Sequence, residues 1–182
     1  HQAVQYAREA SDQSQFMNAN EILRMALDLA TSADDRRELI TELVLINIRA
    51  KTGFKCLDLL PELETFPQTI LREFLVVMLR VYLVNEPFPA QRVQNVLNTT
   101  DTTPDEKTLQ AFLLFMMIMM RMRTIDRSEV MELIPVAQQF FDASPTHPEQ
   151  LADARLAWMV SPYEYLLLLD CFAVVQQHLN GD

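Results

Sequence analysis

The residues best suited to metal binding or nucleophilic catalysis are two cysteines and three histidines, namely Cys56, Cys171, His1, His147 and His178. The metal sites that a sequence reveals most clearly have such residues at short spacings, for example C-x-x-C or H-x-x-x-H, so that several side chains reach one point. Neither spacing occurs, and the three histidines are far apart in the sequence. We therefore interpret the cysteines as buried thiols, which fits a reducing compartment, and we predict no metal site.

Carboxylates could serve as a catalytic acid and base, and one dense group of them is formed by Asp34, Asp35, Glu38 and Glu42. On a helix this spacing is more typical of a solvated charged face than of a catalytic pair. The chain has only two glycines, so it lacks the Gly-rich loops that bind phosphate groups. No serine lies in a tight glycine turn that would expose a nucleophile. We therefore expect no enzyme activity and no cofactor.

The charge and hydropathy of the chain exclude further classes. A net charge of −10 and a pI near 4.7 disfavour binding to nucleic acid or to an anionic membrane. The longest apolar run, residues 111–120, is far shorter than the ~20 residues that span a bilayer. The start, His1-Gln2-Ala3, is neither basic nor apolar enough for a signal peptide. We expect a cytoplasmic domain, and interpret its start as an excision from a longer protein or a tag remnant.

Helix-start signals divide the chain clearly, because a capping residue followed three positions later by an acid satisfies free amides at a helix N-terminus. The strongest two are Ser161-Pro162-Tyr163-Glu164 and Thr103-Pro104-Asp105-Glu106, and weaker ones begin at Ser32, Asp126 and Thr146. Between these signals the apolar periodicity predicts ten helices and no strand, so the fold class is all-α. The predicted helices are 2–10, 13–30, 34–51, 54–64, 68–84, 89–98, 105–123, 127–142, 148–160 and 162–179.

The breaks between alternate helices recur at a nearly constant spacing at first. They fall at Thr31, Thr65, Thr100 and Ser144, which are 34, 35 and 44 residues apart. Helices over 70–84 and 109–122 are apolar on nearly all sides, whereas 89–98 and 127–142 have a polar face. A helix that is apolar all round must be covered on several sides, which a stack of helix pairs provides. The pattern predicts a single helical-repeat domain over residues 1–182.

The spacing and the alternation of two helix types resemble tetratricopeptide repeats over residues 13 to 180. The segment 51–67, which ends in Pro67, is most similar to the second helix of that repeat. The resemblance implies a right-handed α-solenoid of about nine to ten helices, stacked as antiparallel pairs. It also implies that the first helices of the pairs line a concave surface where partner peptides bind.

Arginines lie at the ends of the predicted first helices, at Arg49, Arg80, Arg121 and Arg123. On the concave surface that the resemblance implies, they could bind acidic side chains or a C-terminal carboxylate of a partner. The alternative is that each cation stabilises the C-terminus of its own helix through the macrodipole and needs no partner.

A block of methionines occupies residues 116–122 and includes Met116, Met117 and Met120. Flexible thioether side chains are typical of adaptable binding surfaces, so the block could form the floor of a groove. The alternative is that these side chains fill gaps in the core of a central helix. Five methionines cannot all share one face of a helix, so part of the block belongs to the core in either case.

Aromatic residues cluster near the last predicted helix joint, at Trp158, Tyr163 and Tyr165. They are either anchors at an interface or packing residues of a terminal helix pair. The last helix is apolar on most faces, which leaves self-association through the terminal helices open.

The combined pattern predicts a protein–protein interaction module that binds a partner peptide or helix, in a scaffold, adaptor or chaperone-like role. The alternative is a ligand-sensing or regulatory domain of a larger transcription or signalling protein.

Overall fold

The computed structural model describes residues 2–83, 86–124 and 127–160, except for the side chains of residues 121–131, 134 and 138. Within these ranges the chain forms helices and connecting turns and no strand, which confirms the all-α prediction. The chain divides into two compact units, His1–Pro89 and Ala90–Asp182. We call them unit 1 and unit 2 and describe each by itself. The single domain over residues 1–182 stays a prediction.

Unit 1 is built from helices that pack on their neighbours in sequence. They are α1 (Gln2–Asp12), α2 (Phe16–Leu29), α3 (Ala33–Arg49), a 3₁₀ helix (Gly53–Leu59), α4 (Leu60–Leu63) and α5 (Ile70–Arg80). The predicted cap at the start of α3 is confirmed, since the Asp35 N–H donates to the Ser32 hydroxyl at 3.0 Å. Thr69 caps α5 in the same way, accepting from the Arg72 N–H at 3.1 Å.

The core of unit 1 lies along α3 and α5. Both helices bury long uninterrupted stretches, residues 42–48 of α3 and 73–79 of α5. Phe74 is fully buried there, as are Leu43 and Leu79. The apolar character of α5 on all sides, read from the sequence, therefore corresponds to a helix that is covered nearly all round.

The structure corrects the prediction of one helix over 54–64. A 3₁₀ helix runs from Gly53 to Leu59, and only the last turn, Leu60–Leu63, is α-helical. Pro61 explains the difference, because a proline has no N–H and its ring clashes with the carbonyl four residues earlier in an α-helix. The tighter 3₁₀ geometry brings the chain to Pro61 without that clash.

Helix α3 ends two residues before its predicted end, in a turn that needs a left-handed residue. Lys51 has φ 59°, its N–H donates to the Ile48 carbonyl at 2.9 Å, and the Thr52 N–H donates to the Asn47 carbonyl at 2.8 Å. This pair of bonds is the Schellman motif, in which the left-handed position is usually glycine. Ser14, with φ 61°, occupies the equivalent position after α1.

We expect Lys51→Gly to raise the free energy of unfolding by about 0.5–1 kcal/mol, because glycine adopts φ > 0 without the steric cost that a Cβ imposes. Urea denaturation followed by circular dichroism measures the change. Lys55→Gly is the matched control, since Lys55 lies inside the 3₁₀ helix, where glycine should lower stability. A loss of stability in Lys51→Gly would contradict the assignment of the turn.

Unit 2 contains α6 (Ala90–Leu97), α7 (Pro104–Thr124), α8 (Arg127–Asp142) and two 3₁₀ helices, Pro148–Gln150 and Ala154–Val160. Helix α7 packs against α6, α8 and the second 3₁₀ helix. Its predicted capping box is confirmed: the Glu106 N–H donates to the Thr103 hydroxyl at 3.3 Å, and the Thr103 N–H donates to the Glu106 carboxylate at 2.9 Å. The buried Gln110 amide donates to the carbonyls of Val96 and Thr99, which holds the end of α6 against α7.

The predicted helix 148–160 is wrong, because residues 151–153 interrupt it. The carboxylate of Asp105 at the start of α7 accepts the N–H groups of Ala152 and Asp153, both at 2.9 Å. Amides that bond to a distant carboxylate cannot at the same time continue a helix. The capping box predicted from Thr146 and Glu149 also differs from the structure. The Thr146 N–H donates to the side-chain oxygen of Gln150 at 2.8 Å, not to Glu149. The signals at Asp126 and Ser161 and the helix 162–179 lie outside the described residues.

Candidate interaction surfaces

The methionine block divides between the core and a partly exposed surface of α7. Met117 and Ile118 are buried, together with Leu113 and Leu114 one turn earlier. A second set shares a helical spacing of i, i+3, i+4, i+7 and i+8 and is only partly buried: Phe112, Phe115, Met116, Met119 and Met120. We call this set the α7 face. The predicted surface role is thus compatible with the positions of Met116 and Met120 and not with that of Met117.

Trp158 lies beside the α7 face on the 3₁₀ helix Ala154–Val160. Its ring meets Phe112 edge to face, with centroids 5.8 Å apart, and Phe112 meets Phe115 in the same manner at 6.2 Å. Edge-to-face pairs of this kind stabilise aromatic clusters beyond the area that they bury. The indole is only partly buried. Unit 2 therefore places a row of three aromatic rings next to flexible methionines.

The position of Trp158 depends on contacts made elsewhere in unit 2. Leu156, Met159 and Val160 of the same 3₁₀ helix are buried. The preceding residues are held to α7 by the Asp105 carboxylate described above. Asp153 also binds Arg155, whose Nε donates to its carboxylate at 2.8 Å. Together these contacts hold residues 152–160 against α7. None of them was predicted from the sequence.

Arg49 and Arg80 have carboxylate partners within unit 1. Arg49 donates to Asp12 at 2.9 Å, and its guanidinium lies 5.8 Å from the centre of the Phe16 ring. Arg80 donates to Glu64 at 2.7 Å and to Glu86 at 2.6 Å. The bond to Glu64 is the largest cause that raises the pKa of Arg80 above its ordinary value. A partner carboxylate would have to compete with these groups.

Both arginines also lie in the last turn of their helices, as the macrodipole alternative requires. Their role in partner binding stays a prediction. The side chains of Arg121 and Arg123, and all of Tyr163 and Tyr165, lie outside the described residues. The structure thus brings Trp158 to Phe112 of the α7 face.

One exposed surface was not singled out in the sequence. Helix α2 exposes Met17, Met25 and Leu29, which keep 73%, 68% and 80% of their surface accessible. Its opposite face buries Ala19, Leu23 and Leu27. The sequence did contain a signal for this surface. Helix α2 has an apolar stripe sufficient for its buried face, and it carries further large apolar residues on the opposite face.

Cys56 and the acidic residues of α3 differ in their exposure to solvent. Cys56 is buried as predicted, and burial raises the pKa of its thiol to about 11, so it is un-ionised at neutral pH. Asp34 and Asp35 are exposed as predicted, but Glu42 is buried and accepts from Arg8 at 2.7 Å. The solvated-face prediction is therefore wrong for Glu42, because α3 turns this position toward the core, where an ion pair satisfies it.

The part of the chain that the structure describes has neither a cluster of metal ligands nor a helix that could span a membrane. No three His, Cys, Asp or Glu residues there come together as a metal site. No described helix is both long and apolar enough to cross a bilayer. His147 is exposed in the turn before the 3₁₀ helix Pro148–Gln150. Cys171 and His178 lie outside the described residues.

Comparisons with protein-family models, with curated proteins and with solved structures found no match for this chain. Fold and surfaces together define an all-α protein with two candidate interaction surfaces, the α7 face in unit 2 and the exposed side of α2 in unit 1. The similarity to tetratricopeptide repeats stays a prediction from the sequence.

Proposed function

We propose that this chain is a protein–protein interaction module that binds an apolar peptide or helix of a partner on the α7 face, beside Trp158. The observation that carries the proposal is the partial exposure of five Phe and Met side chains at helical spacing next to an edge-to-face aromatic row. Methionines adapt to partners of different shape, and large aromatic residues supply much of the binding energy at interfaces.

The proposal extends to the architecture and setting of the module. Consecutive helices pack on each other within each unit, which supports a stack of helix pairs. The right-handed arrangement that we propose for this stack rests on the resemblance to tetratricopeptide repeats. We further propose a scaffold, adaptor or chaperone-like role in the cytoplasm, without enzyme activity. Since Arg49 and Arg80 already bind carboxylates, we place the site on α7 rather than at the arginines. The ligand-sensing alternative and self-association through the terminal helices stay predictions.

The test uses peptides selected from a random library against the full chain. Trp158 is the only tryptophan, so a change in its emission reports binding beside the α7 face directly. We expect selected peptides to shift this emission and to bind the Met116→Gln/Met120→Gln variant at least about tenfold more weakly, since truncating or polarising contact residues costs about 1–2 kcal/mol. Met117 is unsuitable for such a test, because it is buried and its replacement would disturb the core.

The matched control is Met17→Gln/Met25→Gln, which makes the same chemical change on exposed residues of unit 1. It should leave unchanged the affinity of those selected peptides that shift the Trp158 emission. If the peptides that shift this emission bound the α7 variant and the wild-type chain equally, with circular dichroism showing both folded, the proposed site would be disproved.

A further inference from the structure

Helix α2 presents a ridge of four residues spaced four apart, Met17, Glu21, Met25 and Leu29, which we call the α2 ridge. All four are exposed, and the buried stripe of α2 lies on the opposite side. Among the described residues six large hydrophobic side chains are exposed, and three of them belong to this ridge. Rows of side chains spaced four apart are the ridges that pack into the grooves of a second helix. The ridge therefore has the form of a helix-packing surface.

The charges on this surface are acidic. Glu21 lies within the ridge and Asp28 beside it, and both are exposed. The single basic residue of α2, Arg24, is engaged elsewhere, because its guanidinium donates to both carboxylate oxygens of Asp58, at 2.7 and 3.0 Å. Arg36, which lies close enough to Asp28 to interact electrostatically, donates to Glu62 at 2.8 and 2.9 Å.

Charge selects the occupant of the ridge. A second copy of the chain would bring Glu21 and Asp28 of both copies into one apolar interface. Helix α2 supplies no uncommitted cation to pair with these acids. A second copy is therefore disfavoured, because burying unpaired charges costs free energy. An anionic membrane would be repelled by the same two acids. A helix with an apolar face bordered by Lys or Arg satisfies both the methionines and the carboxylates.

We infer that the α2 ridge is a docking site for a basic amphipathic helix of a partner protein. The partner helix places apolar residues at i, i+3 or i+4, and i+7 against Met17, Met25 and Leu29. Its cations flank that stripe and meet Glu21 and Asp28. This site lies in unit 1 and goes beyond the function proposed for the α7 face.

The probe is a synthetic helix with leucines on one face and lysines on the other, compared with a peptide of the same pattern in which glutamate replaces lysine. Binding to the full chain is measured by fluorescence anisotropy at two salt concentrations. We expect the Leu/Lys peptide to bind, and more weakly at high salt, whereas the Leu/Glu peptide should not bind measurably. Met25→Gln/Leu29→Gln should weaken binding of the Leu/Lys peptide at least about tenfold, because two apolar contacts are lost.

Glu21→Lys tests the charge separately. This variant should weaken binding of the Leu/Lys peptide at least about fivefold and allow the Leu/Glu peptide to bind, since the charge at the centre of the α2 ridge changes sign. Glu149→Lys makes the same charge change on an exposed residue of unit 2, and should leave the affinity within about twofold.

Three outcomes would overturn the inference. Undiminished binding of the Leu/Lys peptide to Met25→Gln/Leu29→Gln would show nonspecific attraction to an acidic protein. An equal loss of affinity for the Leu/Lys peptide in Glu149→Lys and Glu21→Lys would also show nonspecific attraction. Sedimentation that reveals a dimer of the wild-type chain and a monomer of Met25→Gln/Leu29→Gln would assign the ridge to a second copy.

Discussion

Replacing Phe74 by alanine should lower the free energy of unfolding by about 3–5 kcal/mol, the range for removing a buried aromatic ring. Phe74 is fully buried on α5, within a stretch in which every residue from 73 to 79 is buried. Such a site cannot collapse easily around the cavity, because its neighbours are held in a helix that is covered nearly all round. Urea denaturation followed by far-ultraviolet circular dichroism measures the loss.

Phe54→Ala is the matched control for this prediction, because it removes the same ring from a site that is 54% exposed. The Phe54 ring packs edge to face on Tyr82 at 6.2 Å, so its loss should cost no more than about 1 kcal/mol. Similar losses in the two variants would contradict the position of α5 in the core of unit 1.

Asp105→Ala should lower the stability of unit 2 by about 1–3 kcal/mol and shift the emission of Trp158 to longer wavelength. The carboxylate accepts two backbone N–H groups at 2.9 Å, and hydrogen bonds to a charged group are stronger than neutral ones. Without it, residues 151–153 lose their attachment to α7, and the 3₁₀ helix that carries Trp158 follows them. Denaturation and fluorescence measured on the same samples test both effects.

Asp105→Asn separates the hydrogen bonds from the rest of the side chain, because an amide keeps one acceptor oxygen where the carboxylate has two. Its loss of stability should fall between those of the wild-type chain and Asp105→Ala. If Asp105→Ala left the emission of Trp158 unchanged, the attachment would not determine the indole position. Asp105→Ala should also weaken the binding of peptides to the α7 face, because it displaces Trp158 from Phe112.

Local signals predicted much of the helical fold correctly. Ser32 and Thr103 cap helices as their sequence patterns indicate, and Pro104 and Ala33 begin α7 and α3 within one residue of the predicted starts. These features depend on groups three or four residues apart, so the local sequence contains the information that specifies them. The failures at 54–64 and 148–160 differ in kind. Pro61 was visible in the sequence, whereas the bonds from Ala152 and Asp153 to Asp105 join residues 47 and 48 positions apart.

The candidate surfaces show the same division. The sequence by itself determined that residues 116–122 are rich in methionine and that Arg49 and Arg80 lie near the C-terminal ends of their helices, because composition and helix periodicity are local properties. Only the tertiary structure decided that Met117 is buried while Met116 is partly exposed, and that both arginines bind carboxylates of their own unit. Exposure and ion pairing depend on which distant elements cover a helix face, and that arrangement follows from packing of the whole unit rather than from any one segment.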